Sequence, residues 1–225
     1  MEKLKFFPEK VFEIGPVDIT DTVLVTWLVM AVISIVCYVA TRHLELKPTK
    51  VQELLEAFYD AVDGTVRDVV PVDPALVVPV LGTLWILIGV SNLIGLIPGL
   101  STPTADINAT FALAVVAYSM SHVFGIKTRG LMGYLEHYKE PTWLLLPFHI
   151  MAEITRTIAL AVRLFGNMLS GEMIALILLG IAGFLVPVPF HILHIIIGLI
   201  QAYIFGMLTL VFIAGGVGQK PQPGG

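Results

Sequence analysis

The sequence predicts an all-α polytopic membrane protein, with about five transmembrane helices and one amphipathic interfacial helix. Three observations carry the prediction. Of the 225 residues, 56% are hydrophobic and only 13% are charged, whereas a soluble domain carries about 25% charged residues. Mean hydropathy is +0.89, which excludes both a water-soluble globule and a disordered chain. The length accommodates about five apolar runs of roughly 20 residues with short loops between them.

Composition also removes whole classes of function. The lone cysteine, Cys37, lies in an apolar run and excludes a disulfide framework or a cysteine-ligated metal site. A net charge of −4 leaves no basic surface for nucleic acid. There is no phosphate-cradling glycine loop, zinc-type histidine pair or nucleophile motif. The chain therefore reads as a single membrane domain over residues 1–225, without cofactor or metal and without covalent chemistry of its own.

After an N-terminal outer segment (1–16), span 1 occupies 17–43 and closes on Thr41-Arg42-His43. It begins too far from Met1, and lacks the small-residue cleavage site, for a removable signal peptide. In residues 51–70, Val51, Leu54, Leu55, Phe58, Val62 and Val66 recur at helical spacing, while Glu53, Glu56, Asp60, Asp63, Arg67 and Asp68 fill the other face. That is an amphipathic helix at an interface or against protein, and its acidity disfavours anionic lipid.

Span 2 covers 74–98 and stops at Pro98-Gly99. A loop without Lys or Arg, Ser101 to Asp106, leads to span 3 at 107–126, which ends on Lys127-Thr128-Arg129. The fourth segment, 143–186, would be roughly 60 Å long as a continuous helix, about twice the hydrocarbon thickness, so it must tilt, bend or lie partly in the interface. Pro187-Val188-Pro189 reads as a turn into the last helix, 190–214, and residues 215–225 as a flexible tail. The Lys/Arg bias puts the 42–50 and 127–139 loops in the cytoplasm, hence the N-terminus outside and the C-terminus cytoplasmic, against the pull of Lys3, Lys5 and Lys10. No internal repeat or inverted pair is visible, which weighs against the common secondary-transporter architectures.

Ionisable side chains in mid-membrane cost about 2.5–3.5 kcal/mol each and mark function. The fourth segment holds Glu153, Arg156, Arg163, Asn167, Ser170 and Glu172; the last holds His191, His194 and Gln201. At about 100° per residue, Arg156, Arg163, Asn167 and Ser170 share a stripe, with Glu172 opposite. Glu153 and Arg156 are spaced to pair. Arg163 has no carboxylate neighbour on its helix, and a guanidinium keeps its charge. Its counter-charge must come from elsewhere: another subunit, another part of this chain, or the interface by snorkelling. Gly166 beside it admits a close neighbour. His194 and Gln201 share a stripe on the last helix, and a hairpin would bring Glu172 toward His194. Such a cluster serves equally as a proton relay or as a buried packing network. Asp106 and Asn108 precede span 3, where capping is the simpler role. Asn92 reads as a bond to a neighbouring helix.

The string Leu160-Ala161-Val162-Arg163-Leu164-Phe165-Gly166-Asn167-Met168, followed by Ser170-Gly171-Glu172, strongly resembles the signature of subunit a of F-type rotary ATP synthases, bacterial type. Asn92 to Gly99, Pro103 to Asn108 and Gln201 to Phe205 agree with it. The resemblance implies a proton-conducting stator subunit of the membrane sector, in the bacterial inner membrane beside a c-subunit ring and a b-subunit peripheral stalk. The last two helices would then form a long tilted hairpin against the ring. It further implies that Arg163 faces the ring carboxylates and separates two aqueous half-channels. Asn167, Glu172, His194 and Gln201 would line the access path, with Asp106 at the outer mouth. Asn108, Glu153, Arg156 and Ser170 are further candidates for channel mouths. Where the family can carry an acid fourteen positions before the arginine, this chain has His149, and Glu153 is the substitute. A stand-alone ion-coupled transporter with Arg163 as an anion site is the alternative, and a purely structural scaffold a third.

Overall fold

The computed structural model describes residues 10–14, 17–42, 49–95, 102–139, 146–183 and 187–217. The expected turn at Pro98-Gly99, most of the 43–50 loop, both ends of the 143–186 segment and the tail from 218 onward lie outside the described residues. The described residues are helical, as the composition predicts, apart from one small hairpin. Strand β1 (Lys10–Ile14) pairs antiparallel with β2 (Val17–Thr20), Ile14 opposite Val17. The first span therefore starts at Asp21 rather than at Val17. Val-Asp-Ile-Thr has β-branched residues that fit a strand, and pairing satisfies its backbone groups before the helix begins. Asp21 then accepts the Thr22 amide at 2.9 Å.

Helix α1 (Asp21–Thr41) buries little beyond Thr22 and Val29. Trp27, Leu28, Ile35, Val36, Tyr38 and Val39 all point outward, a surface that suits lipid and not water. Helix α2 (Lys50–Val69) is capped by Thr49, whose hydroxyl accepts the Gln52 amide at 3.4 Å. Its polar face carries an exposed Arg67–Asp63 pair at 2.6 Å, the carboxylate holding the guanidinium above its ordinary value. Its apolar face finds a partner within the chain: Val62, Val66 and Val70 join Val77, Val78 and Leu81 of α3 (Pro74–Ile94) in one core. Asp73 caps α3 through the Ala75 amide at 3.1 Å, and Pro74 sits in the first turn, where its missing amide costs nothing.

A turn of 3₁₀ helix, Pro103–Ala105, leads into α4 (Ile107–Lys139). Helical backbone runs past the expected end near 126 and is broken inside by Gly130, with φ 73°. That left-handed conformation is open to glycine at little cost, so polarity at Lys127 does not end the helix but Gly130 redirects it. Beyond the break, the Tyr134 ring folds back onto Gly125, where any side chain would collide with it.

Helix α5 (Leu146–Ala182) is 37 residues long, about 55 Å by helical rise, and is followed by Gly183 at φ 73°. Helix α6 (Pro187–Val217) begins at Pro187 itself. The Pro187-Val188-Pro189 stretch is thus the first turn of the helix, since a fixed φ near −65° suits that position. Helices α3, α4, α5 and α6 meet in a second core of Leu84, Ile88, Ala114, Ala117, Leu160, Ala161, Leu164, Ala202 and Phe205. Four of these are alanines, which lets backbones approach closely. Among the described residues, five helices, α1 and α3 to α6, are long and apolar enough to cross a membrane.

Candidate functional site

The inward face of α5 is formed by Thr157, Leu160, Ala161, Leu164, Met168 and Ala175, which recur at helical spacing and are buried. The opposite face must then point away from the chain. Arg163 lies on that outer face, exposed, among the exposed apolar side chains Ile158, Val162 and Ile174. Among the described residues it makes neither ion pair nor hydrogen bond, and Arg156, two turns earlier, is likewise exposed. A fixed charge thus stands on a surface otherwise made for lipid.

One turn beyond Arg163, Asn167 Nδ2 donates to Gln201 Oε1 of α6 at 2.7 Å. Gln201 is buried, and its Nε2 has no hydrogen-bond partner among the described residues. A buried donor left open costs about 1–3 kcal/mol, so the α5–α6 seam keeps a polar group free for water or a ligand oxygen. Further along the seam the His194 imidazole covers Gly171 so closely that no larger residue fits there. Glu172 and His194 are both half-buried but form no ion pair with each other. The hairpin brings His194 against the backbone at 171, whereas Glu172 turns toward the Thr102 side chain. Thr102 Oγ1 is buried and makes no hydrogen bond among the described residues.

That wall is built by α3 and the 3₁₀ turn. Asn92 Nδ2 donates to the Gly198 carbonyl of α6 at 2.7 Å, and the Thr104 hydroxyl donates to Asn92 Oδ1 at 2.6 Å. The bond expected of Asn92 to a neighbouring helix is formed, and a second one pins the turn. Asp106 is buried and accepts the Asn108 amide at 2.9 Å, which makes it the cap of α4, while Asn108 itself is exposed. Ser170 bonds back to the Gly166 carbonyl at 2.6 Å and faces outward. Glu153 does not pair with Arg156. It reaches across to α4, where its Oε2 lies 3.7 Å from His122 Nε2. An (i, i+3) pair is open to the sequence, but the tighter tertiary neighbour takes the carboxylate. Sequence reasoning gave Thr102 and Thr104 no role of their own and set His122 aside, because it stands near the end of a span without ligand-like spacing.

The profile of the ATP synthase A chain family matches residues 23–214, which take in all of these side chains. The chain belongs to the ATP synthase subunit a family. It is 47% identical over 209 residues to "ATP synthase subunit a 1" of Hahella chejuensis, covering 93% of this chain and 89% of that protein. It is 48% identical over 209 residues to "ATP synthase subunit a 2" of Pelobacter propionicus, covering 93% and 92%. Against "ATP synthase subunit a" of Legionella pneumophila the identity is 48% over 213 residues, covering 94% and 93%. Subunit a membership, with five helices fit to span a bilayer, makes this a multi-pass membrane protein of the proton-translocating part of an ATP-synthesising complex.

Proposed function

We propose that the chain is the non-catalytic, proton-conducting stator of the ATP synthase membrane sector, in the bacterial inner membrane with its N-terminus outside and its C-terminus in the cytoplasm. Its partners are a ring of c subunits carrying one carboxylate each and a b-subunit stalk. One observation carries the reading: Arg163 is a permanent cation on an outward apolar face, with no acid of its own chain paired to it among the described residues. Such a charge is costly in lipid, and a carboxylate on a moving neighbour relieves it.

The chemistry follows from charge. A protonated ring carboxyl is neutral and can travel through lipid; its ionised form is favoured beside an opposite charge. A ring site arriving at Arg163 therefore releases its proton to one half-channel, and on leaving it takes one from the other. Arg163 keeps the two apart because a proton held there would meet a fixed positive charge. Asn167, Glu172, His194 and Gln201 line the access path, with Asp106, Asn108 and Ser170 toward the outer mouth and Glu153 and Arg156 toward the inner one. Each charge crossing 100 mV yields about 2.3 kcal/mol, so several transfers drive one ATP.

In membrane vesicles containing the assembled complex, Arg163→Ala should abolish ATP-driven proton pumping while complex yield is retained. Arg163→Lys should fail too, because a compact ammonium lacks the planar, weakly hydrated fork. Normal pumping by Arg163→Ala ends the proposal. Transport by the purified chain alone in liposomes would instead favour the stand-alone transporter.

A further inference from the structure

Helices α4 and α5 meet at both ends, and their residue numbers show that they run antiparallel. Thr102 and Asp106, where α4 starts, lie by the Glu172 end of α5, while His122 lies against Glu153. Glu153 precedes Arg163 by ten residues and Glu172 follows it by nine. Arg163 thus stands about midway, roughly 15 Å along the helix from either carboxylate. The Glu172 end belongs to the access path already described. The other end holds a second titratable cluster, to which the reading above gives only Glu153 as a mouth residue.

His122 is the centre of that cluster. Its Nδ1 lies 3.0 Å from the Tyr118 carbonyl and 3.2 Å from Ser121 Oγ. A carbonyl can only accept, so Nδ1 carries a hydrogen, and Nε2 is the nitrogen that can take up or release a proton. That Nε2 is the atom 3.7 Å from Glu153 Oε2, and both side chains are 27% exposed. The imidazole ring is held by Tyr118, centroids 4.2 Å apart, and by Tyr134 at 5.8 Å. Tyr118 also lies beside the Glu153 carboxyl. Among the described residues, the charged and titratable groups seen against His122 include Tyr118 and Tyr134 of α4 and Glu153 of α5. At this end Arg129 is turned to the Val217 carbonyl of α6 at 2.7 Å. The titratable side chains of α6 (His191, His194 and Tyr203) lie elsewhere, with Tyr203 stacked on Trp85.

We propose that His122 and Glu153 form the proton-exchanging pair of the half-channel on the Lys127 side of Arg163. The pair holds one shared proton, either as imidazolium and carboxylate or as imidazole and carboxylic acid. When the ring carboxyl yields its proton toward this side, water carries it to the pair. Water at the open end accepts the displaced proton and carries it away as hydronium, so each bond broken to hydrogen is matched by one formed and nothing is oxidised. In the reverse direction the same steps run backwards. Both side chains are partly exposed, which leaves room for water to reach the pair, and the two tyrosine rings pack against the imidazole.

The proposal rests on the stator reading above, and its test separates the two. Vesicles carrying the whole complex are assayed for ATP-driven pumping, and F1-stripped membranes for passive proton flux, with pH varied on one side at a time. Arg163→Ala in the same assay tests the stator reading alone. His122→Gln and Glu153→Gln should each lower flux at least about tenfold, as loss of an acid–base group does. Each should also displace the pH profile on the Lys127 side only. The double variant should be no worse than either single one, and Glu153→Asp should recover part of the flux. Three results overturn the proposal while leaving the stator reading intact: unchanged profiles, equal displacement on both sides, or additive losses. Lower flux that merely tracks a lower yield of assembled complex, with no displaced profile, also counts against it.

Discussion

Replacing Asn92 by leucine removes a bridge that joins three parts of the chain without changing side-chain size greatly. In the native protein its amide holds the Gly198 carbonyl at 2.7 Å and accepts the Thr104 hydroxyl at 2.6 Å. The two losses differ. Gly198 lies inside α6, so its carbonyl keeps the helical amide of Ala202, and only the net value of one bond disappears, about 1 kcal/mol. Thr104 is 1% exposed and loses its acceptor outright, which costs about 1–3 kcal/mol. Interhelical bonds in membranes average only about 0.6 kcal/mol, so the sum is about 1–4 kcal/mol. Unfolding of the chain in mild detergent by added SDS, followed by far-ultraviolet circular dichroism, measures it. Thr104→Val and the double variant complete a cycle. The double variant should lose clearly less than the sum of the two singles. Strict additivity would mean that the Thr104 bond contributes nothing, and the reasoning from geometry would be wrong.

Gly171→Val should force the His194 ring out of its place and cost about 1–3 kcal/mol by overpacking. His194→Ala in the same chain should restore the SDS midpoint. If Gly171→Val matches the native protein, the close packing at that seam is not real. Arg129→Met removes the 2.7 Å bond to the Val217 carbonyl at the end of α6. The loss should be about 1 kcal/mol, counting a helix-end charge, with faster amide exchange confined to the last turn of α6.

The outward apolar faces and the inward small residues of these helices have a common cause. In lipid no hydrophobic force draws helices together, so close packing and interhelical bonds must do so. Ala114, Ala117, Ala161 and Ala202 supply the packing. Asn92, Asn167 and Gln201 supply the bonds. The polar seam that holds the helices together is the same seam proposed above as the access path. Arg163 differs from all of these because nothing in the described chain answers its charge.

Composition and periodicity alone determined the membrane class, the number of long apolar helices and the amphipathic α2, because each depends on how a segment meets its solvent. The burial of α5 at 160, 161, 164 and 168, and with it the outward direction of Arg163, was not legible in the spacing, because both faces of the segment carry apolar residues. Only the tertiary structure decided which side chains meet. Glu153 chose His122 over Arg156, and Glu172 turned to Thr102 rather than His194. Spacing on one helix says which face a residue occupies but not what stands opposite. Helix ends behaved likewise: Gly130 redirects α4 where charge alone marked an end, Pro187 opens α6 instead of interrupting it, and Val17–Thr20 pairs as a strand. Those outcomes rest on backbone angles and pairing partners, which a pattern of polar and apolar letters does not contain.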